Sequence, residues 1–195
     1  MCGRFYIDDY LISDVRKVLP DLIIDSPSEI SRMAGDICPS AAAPVIVSSD
    51  SHLLLCAMRW GYTGRGKSLM INARAETAAE KPSFRKDLAC RRCAVPASSF
   101  YEWNSGKDCF SFSQEKSEPL FLAGLYSFFE NERRFVLLTT EANLSMKPVH
   151  PRMPLLISPD ELPGWILKSS EAAYYLRKKP EELQRRAVGQ MNLFA

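Results

Sequence analysis

The sequence of 195 residues has few features that would direct it to a membrane or to export. It contains no run of the about 20 apolar residues that a membrane helix needs. It also lacks the basic segment followed by an apolar run that is typical of a secretory signal. We therefore expect no membrane partner and a cytosolic protein with reduced cysteines. Its net charge of +2 is almost neutral, which neither indicates nor excludes a nucleic-acid partner.

Metal-ligating residues are also scarce, with two histidines and six cysteines. Cys90 and Cys93 have a zinc-like spacing, but no second Cys-x-x-Cys or histidine pair accompanies them. His52 and Cys109 could complete such a site, whereas the alternative is that Cys93 is a small buried strand residue. We expect no metal site and no other cofactor.

The apolar pattern predicts a mixed fold. Hydrophobic residues make up 46% of the chain, which is enough for a core. Residues 10–19 have the spacing of an amphipathic helix, and the apolar runs 120–129 and 134–140 are typical of central strands. Residues 26–44 are expected to form an irregular surface loop that carries Pro39. We predict an α+β fold with residues 1–195 in a single domain, in which short helices flank a curved, mostly antiparallel sheet or barrel.

The first residues of the chain, Met1-Cys2-Gly3-Arg4-Phe5, offer an unusual chemistry. Because initiator methionine is commonly removed before a small side chain, Cys2 is expected to become the N-terminus. It would then carry an α-amine with a reference pKa of about 7.7–8.0 and a thiol with one of about 8.5. Such a pair condenses with an aldehyde to an imine and closes to a thiazolidine ring. The alternative is that Cys2 belongs to a frayed terminus without function.

Polar residues interrupt four apolar segments, where burial is costly unless they are paired. They are Asn72, Glu102, His150 and the pair Thr139-Thr140. Each has a structural alternative: Asn72 could cap a turn, Glu102 could pair with an arginine, and His150 could be exposed beside a proline. Together they supply a carboxylate and an imidazole for acid–base catalysis and an amide to orient an amine.

Short blocks along almost the whole chain resemble the SRAP family, the SOS-response-associated peptidase-like proteins that crosslink to abasic sites in DNA. The blocks begin with Met1-Cys2-Gly3-Arg4-Phe5 and continue, in order, with Arg59-Trp60-Gly61, Asn72-Ala73-Arg74-Ala75-Glu76, Arg92-Cys93-Ala94-Val95-Pro96, Phe100-Tyr101-Glu102-Trp103, Ala123-Gly124-Leu125, Leu138-Thr139-Thr140-Glu141-Ala142-Asn143 and His150-Pro151-Arg152-Met153-Pro154. Two departures stand out. Residues 61–67 are shorter and more basic than the family's loop with its second tryptophan, and Ser99 replaces the usual glycine.

The resemblance implies an abasic-site processing enzyme that acts in the DNA damage response. Cys2 would form a covalent thiazolidine crosslink with an abasic site in single-stranded DNA and would thereby shield the site from strand cleavage. Asn72 would position the amine, Glu102 would assist imine chemistry, and His150 would act in acid–base steps on the opened sugar. Weak lyase activity and a self-processing peptidase activity are further implied.

The resemblance also implies a set of DNA contacts. They are Arg4, Pro39, Trp60, Arg74, Thr140, Arg152 and Met153. Arginines bind phosphates, and Trp60 would stack on unpaired bases. The expected partner is single-stranded DNA that contains abasic sites, bound by a monomer in the cytoplasm, in association with the nucleoid if the protein is bacterial.

Two other classes of function stay open. One is a cysteine amidohydrolase or peptidase with an N-terminal nucleophile, because a thiol beside its own amine can attack amides. The other is a noncatalytic module that binds single-stranded DNA. The products distinguish them: hydrolysis releases an amine, crosslinking leaves protein on DNA, and a binding module forms no covalent species.

Overall fold

A computed structural model describes residues 2–64, 68–115, 118–130 and 132–189. Within these ranges the chain forms fifteen strands and five α-helices. The strands are β1 (Arg4–Ile7), β2 (Ile23–Ile24), β3 (Gly35–Ile37), β4 (Ala42–Ser49), β5 (His52–Trp60), β6 (Tyr62–Thr63), β7 (Leu69–Met70), β8 (Asn72–Arg74), β9 (Arg92–Ala97), β10 (Ser99–Trp103), β11 (Cys109–Ser113), β12 (Leu120–Phe129), β13 (Glu132–Glu141), β14 (Arg152–Pro154) and β15 (Gln184–Val188). The α-helices are α1 (Leu11–Val18), α2 (Pro27–Ile30), α3 (Pro82–Cys90), α4 (Leu162–Leu167) and α5 (Ala172–Tyr175). Short 3-10 helices are formed by Ala75–Thr77, Pro159–Glu161 and Ser169–Glu171.

Five of the strands close into a barrel. Strands β13, β12, β9, β4 and β5 are neighbours in that order, and β5 pairs back onto β13. The closing pair is parallel, with Arg59 opposite Arg134 and Trp60 opposite Phe135, whereas the other pairs of the ring are antiparallel. Closure leaves these five strands without a free edge and encloses their apolar side chains. The predicted α+β fold with a curved, mostly antiparallel sheet or barrel is confirmed.

A second, antiparallel sheet of five strands has the order β15-β11-β10-β1-β3. Its inner face carries Phe5, Phe100 and Phe112, which lie opposite one another across three strands and are fully buried. The rings of Phe100 and Phe112 stack with centroids 5.2 Å apart. Phe5 also packs against Trp60 of the barrel, at 5.1 Å between ring centroids. This aromatic layer fixes the sheet, and with it the start of the chain, on the barrel.

The predicted elements agree with the structure except in one segment. The helix expected over residues 10–19 is α1, and the apolar runs are β12 and β13. The expectation that residues 26–44 are irregular is wrong, because α2, β3 and the start of β4 lie there. The proline at position 44 concealed β4; its missing N–H is tolerated because the pairing of β4 with β9 is confined to Ile46 and Ala94. In the basic loop 61–67, residues 65–67 lie outside the described ranges.

A buried polar centre attaches α3 to the strands beside it. Asp87 of α3 is 4% exposed. Its Oδ2 accepts a hydrogen bond of 2.9 Å from the Tyr62 hydroxyl, and its Oδ1 accepts one of 3.2 Å from the Ser127 hydroxyl. Arg91 donates to Oδ1 from Nε at 2.7 Å and from a second guanidinium nitrogen. Both carboxylate oxygens of Asp87 therefore have partners.

Candidate functional site

Cys2 lies just before β1 and is wholly buried. Its Sγ donates a long hydrogen bond of 3.7 Å to the carbonyl of Arg4. Burial, followed by the nearby Glu102 carboxylate, raises the pKa of the Cys2 thiol to about 12. The residue is therefore part of the packed structure rather than of a frayed end, and its thiol is protonated at neutral pH.

Asn72 contacts Cys2 directly. It stands at the start of β8, which pairs in parallel with β13 of the barrel through Leu137 opposite Asn72. The side-chain Nδ2 donates a hydrogen bond of 2.8 Å to the carbonyl oxygen of Cys2. Its other polar atom, Oδ1, is buried and has no hydrogen-bond partner among the described residues. Asn72 thus holds the backbone of Cys2 and keeps an acceptor available for an N–H donor.

Glu102 lies beside the thiol. It is 4% exposed, and its Oε1 accepts a hydrogen bond of 3.3 Å from the backbone N–H of Trp103. Its charge contributes to the raised pKa of the Cys2 thiol, after the larger effect of burial. Its effect on the Cys109 thiol is the smallest of several, and the pKa of that thiol is raised mainly by burial. The Glu102 carboxylate therefore acts electrostatically mainly on Cys2.

His150 lies in the turn before β14 and is half-buried. Its Nδ1 is 3.0 Å from the backbone nitrogen of Arg152, which donates to it. The same Nδ1 is 3.1 Å from the carbonyl oxygen of Arg152, so which of the two backbone groups it bonds depends on the ring tautomer. The backbone of Arg152 thus orients His150, while the contact of His150 with Cys2 stays a prediction.

Arg152 is already engaged by protein groups. Two of its guanidinium nitrogens donate to the two carboxylate oxygens of Glu76, at 2.7 and 2.8 Å, and one also donates to the Thr139 carbonyl at 2.5 Å. Arg152 therefore lowers the pKa of Glu76 through this hydrogen-bonded pair. The buried Nε of Arg152 has no hydrogen-bond partner among the described residues.

Arg4 lies over two aromatic rings. Its guanidinium carbon is 4.2 Å from the ring centroid of Tyr101 and 5.1 Å from that of Trp103. It also forms an ion pair of 3.7 Å with Asp36 and donates to Cys109 Sγ at 3.7 Å. The sequence prediction missed Tyr101 and Trp103 as site residues. The period-two alternation of β10 could have identified them, because Phe100 and Glu102 point inward on the same strand.

Two of the predicted DNA contacts, Trp60 and Met153, are buried side chains. Trp60 is 0% exposed and stacks on Phe135 with centroids 6.1 Å apart. Its Nε1 donates to the Ile71 carbonyl at 2.9 Å. Met153 is also 0% exposed, and its Sδ accepts from the backbone N–H of Asn143. Neither side chain presents a surface to DNA in this structure, and contacts of these two residues with DNA stay predictions.

The remaining predicted contacts, Pro39, Arg74 and Thr140, differ in their exposure. Pro39 is half-buried and precedes Ser40, whose carbonyl accepts from Arg59 at 2.6 Å. Arg74 is exposed at the end of β8. Thr140 is 9% exposed and pairs with Met153 across β13 and β14. Their roles in DNA binding stay predictions.

A groove of about 1110 Å³ adjoins this region without reaching Cys2. Its lining includes Glu76 and Thr140. Its walls carry four basic and five acidic side chains: Lys147, Arg177, Lys178, Lys179, Glu76, Glu80, Glu141, Glu181 and Glu182. Because the two signs nearly balance, the groove lacks the positive charge that would attract a polyanion.

Within the described ranges, no three or more His, Cys, Asp or Glu side chains are grouped closely enough to hold a metal ion. Cys93 is fully buried in β9, whereas Cys90 is exposed. None of the described helices has both the length and the apolar character required to cross a bilayer.

Sequence comparison extends the resemblance over nearly the whole chain. A sequence model of the family described as SOS response associated peptidase (SRAP) matches residues 1–191. The abasic site processing protein YoaM of Bacillus subtilis is 33% identical, over 91% of this chain and 84% of its own. The abasic site processing protein YedK of Escherichia coli is 30% identical, over 85% and 79%.

Solved structures show the same fold. A protein from Bacteroides thetaiotaomicron superposes with a TM-score of 0.82 at 21% identity, over 97% of this chain and 93% of its own. A phage-related protein from Bordetella bronchiseptica gives a TM-score of 0.76 at 25% identity, over 97% and 95%. With the family match over residues 1–191, we conclude that the chain belongs to the SOS response associated peptidase (SRAP) family.

Proposed function

We propose that the protein processes abasic sites in single-stranded DNA by forming a thiazolidine crosslink through Cys2. The relatives named above as abasic site processing proteins support the substrate. The observation that carries the proposal is the bond of 2.8 Å from Asn72 to the carbonyl of Cys2, with the Glu102 carboxylate beside the thiol. A buried cysteine that is held by an amide and lies in the field of a carboxylate is suited to chemistry at its own amine and sulfur.

The reaction requires that Met1 is removed, so that Cys2 has a free amine. The amine adds to the aldehyde carbon of the ring-opened abasic sugar, and loss of water gives an imine. The sulfur then bonds to the imine carbon, while the thiol proton goes to the nitrogen. The net change is aldehyde plus aminothiol to thiazolidine plus one water. Glu102 supplies and removes protons, and Oδ1 of Asn72 accepts from the amine.

The state of the thiol favours this order of steps. Because the pKa of the Cys2 thiol is about 12, little thiolate is present at neutral pH. A hydrolase with a preformed thiolate nucleophile needs the opposite shift, to a lower pKa. In the crosslinking reaction the imine forms first through nitrogen, and the sulfur attacks later with Glu102 as the base. A small lyase activity is compatible with the same imine, because it also permits β-elimination.

DNA binding would use the cations around Cys2. Arg4, Arg74 and Arg152 can each contact one phosphate, with Arg4 exchanging Asp36 and Arg152 exchanging Glu76 for the phosphate. Each such contact on a single strand contributes about −0.7 to the slope of log affinity against log salt. Three contacts predict a slope of about −2. Tyr101 and Trp103 replace Trp60 as stacking surfaces, since Trp103 is 37% exposed. We further propose that the protein acts as a cytoplasmic monomer, nucleoid-associated in a bacterium.

The experiment is denaturing electrophoresis and intact-mass measurement after incubation with an oligonucleotide that carries one abasic site. We expect a heat-stable adduct with the summed mass minus one water, and N-terminal sequencing that begins at Cys2. An oligonucleotide whose abasic aldehyde has been reduced to an alcohol is the control and should give none. Release of an amine from a peptide substrate without any adduct would favour the hydrolase instead. Affinity without a covalent species would favour the binding module.

A further inference from the structure

We propose that the outer face of the five-stranded sheet guides the DNA strand away from Cys2 and that Arg186 of β15 binds a phosphate of that strand. This outer face is defined by Arg4, Tyr101, Trp103, Ser111 and Arg186. The inference rests on the proposed function, because that function places the DNA strand at Cys2. It adds a phosphate-binding residue in the last described strand of the chain, far in sequence from the predicted site.

The register of the sheet aligns the outer face in one row. Arg4 lies opposite Tyr101, Tyr101 opposite Ser111, and Ser111 opposite Arg186. Since neighbouring strands are ~4.8 Å apart, the backbones of Arg4 and Arg186 are separated by about 14 Å. That distance corresponds to about four nucleotides at the ~3.4 Å rise of a stacked strand, and to fewer in an extended one. The two arginines can therefore bind different phosphates of one strand.

The space between the two arginines suits unpaired bases. Tyr101 and Trp103 lie next to Arg4, and Trp103 is 37% exposed. Ser111 follows with a small side chain and a hydroxyl that can bond to phosphate or sugar. Aromatic faces that alternate with arginines are typical of surfaces for single-stranded nucleic acid.

Two adjacent arginines of β15 point to opposite faces. Arg185 lies opposite the buried Phe112, and its guanidinium carbon is 5.8 Å from the ring centroid of Phe110. Arg186 lies on the outer face and is exposed. Among the described residues, its side chain makes one hydrogen bond, of 3.3 Å to Gln184, and no ion pair. The charge of Arg186 is therefore available to an anion, whereas Arg185 covers an aromatic ring.

These features indicate that the ligand of the outer face is single-stranded DNA. Duplex DNA offers no unstacked bases to Tyr101 and Trp103. The face is continuous with Cys2, because Arg4 is two residues from it and donates to Cys109 at the same end of the sheet. A second copy of the chain, paired through the edge strand β15, is the competing occupant and is distinguished by the test.

The test compares R186S with R185S, which removes the same charge from the same strand on the other face. Filter binding uses an oligonucleotide with a central reduced abasic site, so that no covalent bond forms. We expect R186S to bind about fivefold more weakly, with a salt slope smaller by about 0.7, and R185S to stay within twofold of the unmodified protein. Removing the nucleotides on one side of the abasic position should abolish the difference between R186S and the unmodified protein.

Three outcomes would overturn the inference. Equal losses for R186S and R185S would show a general charge effect. A loss for R186S that persists when either flank is removed would place Arg186 off the strand's path. A dimer of the unmodified protein that R186S dissociates in size-exclusion chromatography would assign the face to a second copy. The proposed function has a separate test, and it fails if no crosslink forms with the aldehyde-bearing oligonucleotide. In that case the dependence of R186S binding on the flanking nucleotides still decides the role of Arg186.

Discussion

Asp87 and Glu102 are carboxylates that are each 4% exposed, yet they belong to centres of different character. Asp87 accepts hydrogen bonds on both oxygens, from Tyr62, Ser127 and Arg91. In the centre that contains Glu102, the Cys2 thiol donates a long hydrogen bond of 3.7 Å. Oδ1 of Asn72 in the same centre has no hydrogen-bond partner among the described residues. Both centres are buried and polar, but within the described part of the chain the second contains a buried atom, Asn72 Oδ1, without a hydrogen-bond partner.

The difference separates a structural centre from a reactive one. Unsatisfied polar atoms in the interior cost free energy, and a native protein keeps them where they serve another purpose. Arg4 Nε, Asn72 Oδ1 and Arg152 Nε are buried without a partner in the described structure, and all three belong to residues predicted for the site. Changes at Asp87 should therefore alter stability, and changes at Cys2 should alter chemistry.

The largest effect is expected at Cys2. Cys2→Ala keeps an amine without a thiol, and a glycine inserted before Cys2 keeps both groups but separates them, so neither variant can close the five-membered ring. We expect the heat-stable adduct to fall below detection in both. The free energy of unfolding should change by about 1 kcal/mol or less, because one small side chain is affected. An adduct that persists in the glycine-inserted protein without borohydride would refute the thiazolidine.

The opposite result is expected for Asp87→Asn. Loss of the carboxylate leaves the half-buried Arg91 guanidinium without its counter-charge, so we expect a loss of about 3 kcal/mol in urea unfolding. Crosslinking by the folded fraction at low temperature should be unchanged. The matched control is Asp14→Asn, which removes an exposed ion pair of 2.7 Å with Lys17 and should cost less than about 0.5 kcal/mol. A stable Asp87→Asn protein with impaired crosslinking would instead show that Asp87 serves the reaction rather than the stability of the fold.

A smaller effect is expected at alkaline pH, on the free energy of unfolding of the unmodified protein compared with Cys2→Ala. In the unfolded chain the Cys2 thiol loses its proton near a pKa of about 8.5, whereas burial raises the pKa in the folded protein to about 12. Between these values the unfolded state binds fewer protons, so stability falls as pH rises. From pH 8 to 10, the unmodified protein should lose about 2 kcal/mol more than Cys2→Ala.

Urea titrations at each pH measure this difference. Other buried groups titrate in both proteins and cancel, including Cys56, whose thiol pKa is raised to about 11 by burial. Parallel stability curves for the two proteins would mean that Cys2 is exposed in solution and would remove it from the buried centre.

The smallest effect is expected at Glu76, which neutralises Arg152 in a bidentate pair. Glu76→Gln weakens this pair and removes a negative charge near the DNA, so binding to single strands should tighten about two- to threefold at low salt. Filter binding measures the change, and Glu80→Gln, an exposed acid on the same groove, is the control. Weaker binding by Glu76→Gln would instead make Glu76 a positioning residue for Arg152.

Much of the fold followed from the sequence because its signals are local. The strands β12 and β13 are long apolar runs, and α1 is amphipathic and ends before Pro20. Strand β4 was not predicted because Pro44 argues against a central strand. The missing N–H of Pro44 is tolerated because the pairing of β4 with β9 is confined to Ile46 and Ala94. Closure of the barrel by a parallel pair is a long-range event that no local pattern encodes.

The site was predicted through the motifs of a family, and motifs do not show how a side chain is oriented. A motif shows that Trp60 belongs to the site region without showing which way its ring points. Burial depends on partners distant in sequence, here Phe5 and Phe135. Trp103 is the exposed tryptophan instead. It follows the buried Glu102 by one residue in a strand, where successive side chains point to opposite faces.

The three tryptophans of the chain are distributed unequally between interior and surface. Trp60 and Trp165 are 0% exposed, and Trp103 is 37% exposed beside Arg4. The intrinsic fluorescence of the protein therefore contains one chromophore in water and two in an apolar interior. A ligand on the face of Arg4 would quench the red-shifted emission of Trp103 alone, while the blue-shifted emission of the other two would report whether the fold is intact. One emission spectrum could thus follow occupancy and folding together, without a label.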